Sequence, residues 1–159
     1  MEEVLVLLAD DARLTPGQIA ERLGRPETEI REVIAKLEAE RVIRRYRAVV
    51  DWDRAGIEHV YGFIEVRVTP QRGQGFDAIA GRIMEFPEVH SLYLMSGTYD
   101  LMVVVQGKNM REVAYFVAER LAPLEGVLST ATHFVLRRYK VDGDVMEERT
   151  EVKRLPVTP

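Results

Sequence analysis

The sequence predicts an α+β chain in two parts, an N-terminal winged helix-turn-helix and a C-terminal ferredoxin-like βαββαβ unit. Three observations predict it. Two short amphipathic segments between residues 15 and 40 are separated by a glycine turn. Directly after them, 41-RVIRRYR-47 places four arginines in seven residues with no acid among them. From residue 57 onward the apolar period falls to two, then alternates with helical stretches in the order strand, helix, strand, strand, helix, strand.

Composition narrows what such a chain does. It has 159 residues, 47% of them hydrophobic and 30% charged, with formal net charge -4 and a sequence pI near 5.5. That suits one ordinary domain or two small ones. The absence of cysteine excludes a disulfide framework, a thiol nucleophile and cysteine-built metal sites. The apolar run near the start is short and flanked by acids, unlike a signal peptide. No apolar stretch approaches the ~20 residues that cross a bilayer. A cytoplasmic protein with no membrane partner is expected. Bulk charge does not point to nucleic acid, so any such reading rests on local charge.

Each N-terminal element has its own signals. Val4, Leu5, Leu7 and Leu8 give residues 2–10 one apolar face. In 15-TPGQIAERLG-24, Thr15 and Gln18 form a capping box, Pro16 suits the first helical position, and Gly24 stops the helix. In 26-PETEIREVIAKLEAE-40, Ile30, Val33, Ile34 and Leu37 fall at i, i+3, i+4 and i+7. Val42 and Ile43 are expected to continue the core. Arg44, Arg45 and Arg47 then flank Tyr46 on what reads as a two-stranded flap, a wing whose guanidinium groups suit phosphates.

The third helix is awkward for a DNA reader. Glu27, Glu29, Glu32, Glu38 and Glu40 outnumber Arg31 and Lys36. Glu27 and Glu29 complement the helix dipole in the first turn. A glutamate also accepts a hydrogen bond from a cytosine amino group. The candidate DNA-facing residues are Thr15, Gln18, Thr28, Glu29, Arg31, Glu32, Lys36, Arg41, Arg44, Arg45 and Arg47, with double-stranded DNA as the partner.

In the second part, Val60, Ile64, Val66 and Val68 alternate with Tyr61, Phe63, Glu65 and Arg67, a strand within 57–69. A turn at 70–75 leads to a helix carrying Phe76, Ile79, Ile83 and Phe86. Strands follow at 89–95 and 101–106, separated by 96-SGTYD-100. Asn109 caps the next helix, with Glu112 in the capping-box position and Val113, Phe116, Val117 and Leu121 inward. A last strand is expected from 127 to 139. The stretches 86-FPEV and 124-LEGV start alike, as duplicated halves do. Helices cover one face of such a sheet, and the bare other face predicts a homodimer. Two-fold symmetry then offers two helix-turn-helix units to two half-sites. The expected division is 1–50, a linker at 51–56, the βαββαβ unit at 57–141 and a charged tail at 142–159.

From about Val4 to Lys140 the chain resembles the Lrp/AsnC family of transcription regulators. The resemblance rests on 37-LEAERVIRRYRAVVD-51, 87-PEV-89, 97-GTYDL-101 and 126-GV-127. It implies a sequence-specific DNA-binding regulator that is not an enzyme. Its dimers assemble into rings, often octamers, and an amino acid bound near the Gly-x-Tyr-Asp turn acts as effector, with no cofactor. Carried onto this chain, the effector residues are Ser96, Gly97, Thr98, Tyr99 and Asp100, with Ser129, Thr130 and Thr132 on the last strand. The Gly97 amide is set to meet a carboxylate, Asp100 an ammonium, and Tyr99 walls the pocket. Gly and Asp are also ordinary turn residues.

Two departures stand out. Where the family has a serine opening the recognition helix and a basic residue midway, this chain has Pro26 and Val33. The arginine run then supplies the phosphate charge that the helix lacks. Alternative readings are an amino-acid sensor or adaptor that does not bind DNA, and a sirohaem decarboxylase-like enzyme. The latter resembles the same architecture but has a His-x-Tyr-Asn stretch followed by Trp-Phe, whereas this chain keeps 97-GTYDLMVVV-105, with its tryptophan at Trp52. His59, His90 and His133 are scattered. His90 and His133 fall on strands that could be neighbours, but two ligands without a third carboxylate or cysteine argue for ordinary residues rather than a metal site.

Overall fold

The computed structural model describes residues 1–69 and 75–146. The turn expected at 70–75 lies, up to residue 74, outside them, as does the tail from 147 on. The chain divides into two units, one from Met1 to Val50 and one from Asp51 onward.

In the first unit, α1 (Glu2–Asp10), α2 (Pro16–Leu23) and α3 (Glu27–Ala39) follow the apolar spacing. The Thr15 hydroxyl accepts from the Gln18 N–H at 3.3 Å, and the Gln18 side chain accepts from the Thr15 N–H at 2.8 Å. Both bonds of the capping box are therefore made, which is what starts α2 where it starts. Gly24 ends it in the left-handed region, at φ 63°. Val4, Leu8, Leu14, Ile19, Ala20 and Ile30 form one core, with Leu7, Leu23, Val33, Ile34 and Ile43 packed against it.

The end of α3 departs from the expected outline. Arg41 adopts φ 56° and donates its N–H to the Glu38 carbonyl, and Val42 donates to Leu37 at 2.9 Å. This pair of bonds is the Schellman stop. It turns Val42 outward, 53% exposed, so Val42 does not continue the core and Ile43 alone does. The expected two-stranded flap is absent as well, because no strand lies between Ala39 and Val60. The Val42 and Ile43 amides are spent on the Leu37 carbonyl, at 2.9 and 3.1 Å, and no facing strand offers the arginine run a partner.

The second unit is one antiparallel sheet with two helices. Its elements are β1 (Val60–Val68), α4 (Asp77–Met84), β2 (Val89–Leu94), β3 (Leu101–Gly107), α5 (Met110–Phe116) and β4 (Val127–Phe134). The strand order β2-β3-β1-β4 is that of the split βαββαβ. One face of β1, carrying Ile64, Val66 and Val68, packs with Leu101, Val103 and Val105 of β3 against Ile79 and Ile83 of α4 and Val113 and Phe116 of α5. The duplication is visible in backbone bonds. Phe86 donates to Ile83 and Val89 to Phe86 at 3.2 and 3.0 Å; Leu124 donates to Leu121 and Val127 to Leu124 at the same two distances. At Gly126, φ is 93° and a Cβ would come within 2.6 Å of the Ile79 side chain, so glycine is required there.

Three details differ from expectation. Asn109 caps α5 by accepting from the Glu112 N–H at 2.9 Å, but the Glu112 carboxylate takes the Lys108 N–H instead of closing the box on Asn109. After Phe116 the helix widens into a π turn, Val117–Leu121, that keeps both its end residues buried. The last strand stops at Phe134 rather than 139: its final pair is Gly62 with Phe134, followed by one more bond, from the Val135 N–H to the Tyr61 carbonyl at 2.9 Å. Beyond it, β5 (Lys140–Val141) and β6 (Asp144–Val145) form a hairpin. Its turn residues Asp142 and Gly143 have φ 49° and 101°, the left-handed pair that a two-residue hairpin needs. The hairpin thus includes residues that the sequence pattern assigned to the charged tail.

Residues 51–57 are wound on themselves, with Ala55 donating to Asp51, Gly56 to Asp53 and Ile57 to Trp52. Arg138 reaches Asp53 at 3.3 Å.

Candidate nucleic-acid interface and effector site

On α3, charge is settled within the helix and its immediate neighbours. Arg31 donates through Nε to Glu27 at 2.9 Å, one turn back. Lys36 pairs with Glu40 at 3.8 Å. Arg25, just ahead of the helix, donates to Glu29 at 3.3 Å and lies 3.9 Å from Glu3. The hydrogen bond from Arg25 holds the Glu29 carboxyl below its ordinary pKa, and the same bond raises that of Arg25. Tyr46 donates to the Glu38 carboxylate at 2.9 Å. Burial, then this contact, pushes the Tyr46 phenol above its ordinary value.

The arginine run behaves differently. Arg41, Arg44 and Arg45 are exposed, and no ion pair or hydrogen bond engages their guanidinium groups among the described residues. Arg47 is exposed too but has an interaction of its own. The Tyr46–Glu38 bond ties this run to α3 in mid-course. Thr15 donates its hydroxyl to the Gln18 side-chain oxygen at 3.1 Å and so is spent on the α2 cap, whereas Gln18 uses only that oxygen and keeps its amide N–H donors. Thr28 and Glu32 are exposed on α3. Val33, where a basic residue was expected, packs against the core. Pro26 is the N-terminal flank of α3 and makes no side-chain cap.

At the other candidate site, the turn Ser96–Asp100 is bolted to the sheet. Met95 donates to the Asp100 carbonyl at 2.8 Å, and the Asp100 N–H donates to Val66 at 3.1 Å. The Asp100 carboxylate accepts from the Val68 N–H at 2.8 Å. Asp100 is therefore a fastening between β3 and β1, with one carboxylate oxygen already committed. Ser96, Gly97 and Thr98 form an exposed rim, with Gly97 at φ 138° and open space where a Cβ would stand. Tyr99 is half-buried. Thr130 pairs with Val66, which also pairs with Leu101, so Thr130 lies one strand beyond the turn, roughly 10 Å across the sheet. Ser129 pairs with Arg67, on the opposite face from Thr130, and Thr132 lies further along the strand opposite Ile64. The structure brings the turn and Thr130 to one end of the sheet, and it does not gather the three β4 residues at one point.

The histidines do not meet. His90 lies on β2 and His133 on β4, at opposite edges of the sheet. The sequence left open that their strands are neighbours, but β3 and β1 stand between them. His133 instead faces Glu65 at 3.4 Å, and His59 shares a 3.0 Å hydrogen bond with Gln106. Among the described residues no three His, Asp or Glu side chains cluster as a metal site, and no helix is long and apolar enough to cross a membrane.

Comparison with known proteins fits this two-part layout. Residues 2–44 match a winged helix-turn-helix DNA-binding family, and residues 62–145 match the Lrp/AsnC ligand binding domain. The chain belongs to the Lrp/AsnC family. It is 48% identical over 158 residues, 99% of its length and 95% of the relative's, to the uncharacterized HTH-type transcriptional regulator YugG of Bacillus subtilis. An AsnC family transcriptional regulator from Agrobacterium tumefaciens has a similar solved structure, at TM-score 0.71 and 25% identity, covering 88% of this chain and 90% of that one. The fold also matches a transcriptional regulator from Neisseria meningitidis solved as a complex with L-Met, at TM-score 0.70 and 24% identity, covering 87% and 89%.

For a member of the Lrp/AsnC family, one surface escaped sequence reasoning. A groove of about 380 Å³ runs beside α5, lined by Glu88, Arg111, Tyr115, Glu119 and Arg120 among others. Arg120 pairs with Glu88 and sits 4.5 Å over the Phe86 ring. Glu88 comes from a different element than α5, so no single stretch of sequence signals the groove.

Proposed function

We propose that this protein is a dimeric transcription regulator that grips DNA chiefly through the Arg41–Arg45 run and answers to a small amino acid. The observation that carries the DNA half is the contrast in charge pairing. Glu27, Glu29 and Glu40 pair with Arg31, Arg25 and Lys36, and Glu38 accepts from Tyr46, whereas Arg41, Arg44 and Arg45 keep their guanidinium groups for an outside polyanion. Three or more phosphate contacts release counterions, so affinity falls steeply with salt. Titration of labelled duplex at several salt concentrations tests this. A slope near zero, or no binding at low salt, ends the reading.

The dimer reading is supported by the uncovered sheet face. There Phe63 is 40% and Tyr93 54% exposed, in register with Val104 and Met102 of β3. Apolar surface of this kind is costly in water. Light scattering of the wild type and of Phe63→Glu is the check: a dimer is expected for the first and a shift toward monomer for the second.

The amino-acid reading is supported by the ligand-binding family match, by the L-Met complex of the Neisseria protein, and by the rim itself. No backbone hydrogen bond engages the Ser96, Gly97 or Thr98 amides among the described residues, which leaves donors for a carboxylate. A panel of amino acids in a thermal-shift assay, repeated on Gly97→Val, tests it. Binding that survives Gly97→Val moves the site elsewhere, with the α5 groove next in line.

A further inference from the structure

We infer that Glu32 is the specificity-determining residue of the recognition helix, reading the 4-amino group of a cytosine in the major groove. The inference rests on the DNA-binding reading above and goes beyond it by naming one side chain and one base.

It begins with helix geometry. At ~100° per residue, the buried and half-buried residues Ile30, Val33, Ile34 and Leu37 define one side of α3. The row opposite is Thr28, Glu32, Ala35 and Ala39, all exposed. Three of these four are short. Glu32 is therefore the one long side chain at the centre of the outward face. Arg31 and Lys36 flank the row but are turned along the helix to Glu27 and Glu40.

Elimination among the acids gives the same residue. Glu27 is held by Arg31, Glu29 by Arg25, Glu38 by Tyr46 and Glu40 by Lys36. Glu32 has no ion pair or hydrogen bond among the described residues, so its carboxylate is unspent.

The chemistry then decides the base. A carboxylate only accepts hydrogen bonds at neutral pH. Guanine and thymine offer only acceptors on their major-groove edges, so they repel it. Adenine pairs its amino donor with an N7 acceptor, which suits an amide better. Cytosine offers the amino donor alone. Thr28 and Ala35, on either side, are small enough to let the helix approach and to touch thymine methyls. A lone carboxylate among phosphates also weakens binding wherever no cytosine meets it, which is discrimination by repulsion. Attraction comes from the arginine run and selectivity from this one acid.

The test selects bound duplexes from a randomised library with wild type, Glu32→Gln and Glu32→Ala. The site is on the surface, and unchanged unfolding midpoints for the two variants check that the fold is kept. The wild type is expected to require cytosine at one position per half-site. Glu32→Gln moves that preference toward adenine, and Glu32→Ala flattens it while tightening binding to unrelated DNA. On the selected duplex, replacing that cytosine with 2-pyrimidinone, which lacks the amino group, lowers wild-type affinity by roughly ten-fold and leaves Glu32→Ala unchanged. Identical base preferences in all three proteins overturn the assignment of Glu32 while leaving DNA binding standing. Absence of any duplex binding by the wild type overturns both.

Discussion

The helix Glu27–Ala39 and the run 41–47 are neighbours in sequence and opposites in their use of charge. The helix carries an excess of acids, but Glu27, Glu29 and the capping Glu40 each meet a cation four residues away and Glu38 accepts from Tyr46, so fewer bare carboxylates are left than its composition suggests. The run has no acids, and Arg41, Arg44 and Arg45 find no partner among the described residues. What a partner meets is therefore the unpaired remainder, and counting residues does not give it. An acidic protein can hold a polyanion where several cations without internal partners are gathered in one place.

Substitutions can break or sharpen this contrast. The largest effect is expected at Leu37, where the two regions join. Its side chain is fully buried, and its carbonyl receives the amides of Val42 and Ile43. Leu37→Ala should cost about 2–5 kcal/mol in urea unfolding, taking the helix and the anchored start of the run together. Next is Arg44→Ala with Arg45→Ala. Affinity for every duplex should fall alike, roughly ten-fold or more at low salt, and the salt slope should drop by about two. Fluorescence anisotropy across a salt series measures both.

Arg41→Gly divides stability from binding. Arg41 holds a left-handed conformation at a helix stop where glycine is the natural occupant. The substitution should stabilise the fold by up to about 1 kcal/mol and still weaken DNA binding several-fold. Tyr46→Phe removes one hydrogen bond and should cost about 0.5–1 kcal/mol in binding, because the run loses its tether to Glu38. The smallest effect concerns acid. The Glu29 carboxyl is held below its ordinary value near 4.5, so its pairing with Arg25 contributes fully above that pH and is lost as pH falls through the lowered value. Arg25→Ala should flatten the loss of thermal stability measured between pH 5 and pH 3.

A second comparison, within the sheet, shows what could be read in advance. Residues 83–89 and 121–127 repeat the same backbone bonds at the same distances, and that duplication is audible in 86-FPEV and 124-LEGV. The capping box of α2, the inward stripe of α5 and the alternation of β1 were equally legible. In each, the decisive partners stand within four residues or follow a fixed period. The candidate sites were legible only as groups of residue types. That Asp100 would fasten β3 to β1, or that Thr130 would lie one strand beyond the turn, depends on strand register.

The sequence by itself therefore determined the three N-terminal helices, the βαββαβ order and the location of the arginine run. Local hydrogen bonds and apolar periodicity select them with little help from distant residues. Only the tertiary structure decided which arginines lack a partner among the described residues and that Tyr46 meets Glu38. It also separated His90 from His133 and ended the last strand at Phe134. Each of these depends on which groups are close in space, and nearness across a sheet or around a helix is set by packing and register rather than by position along the chain.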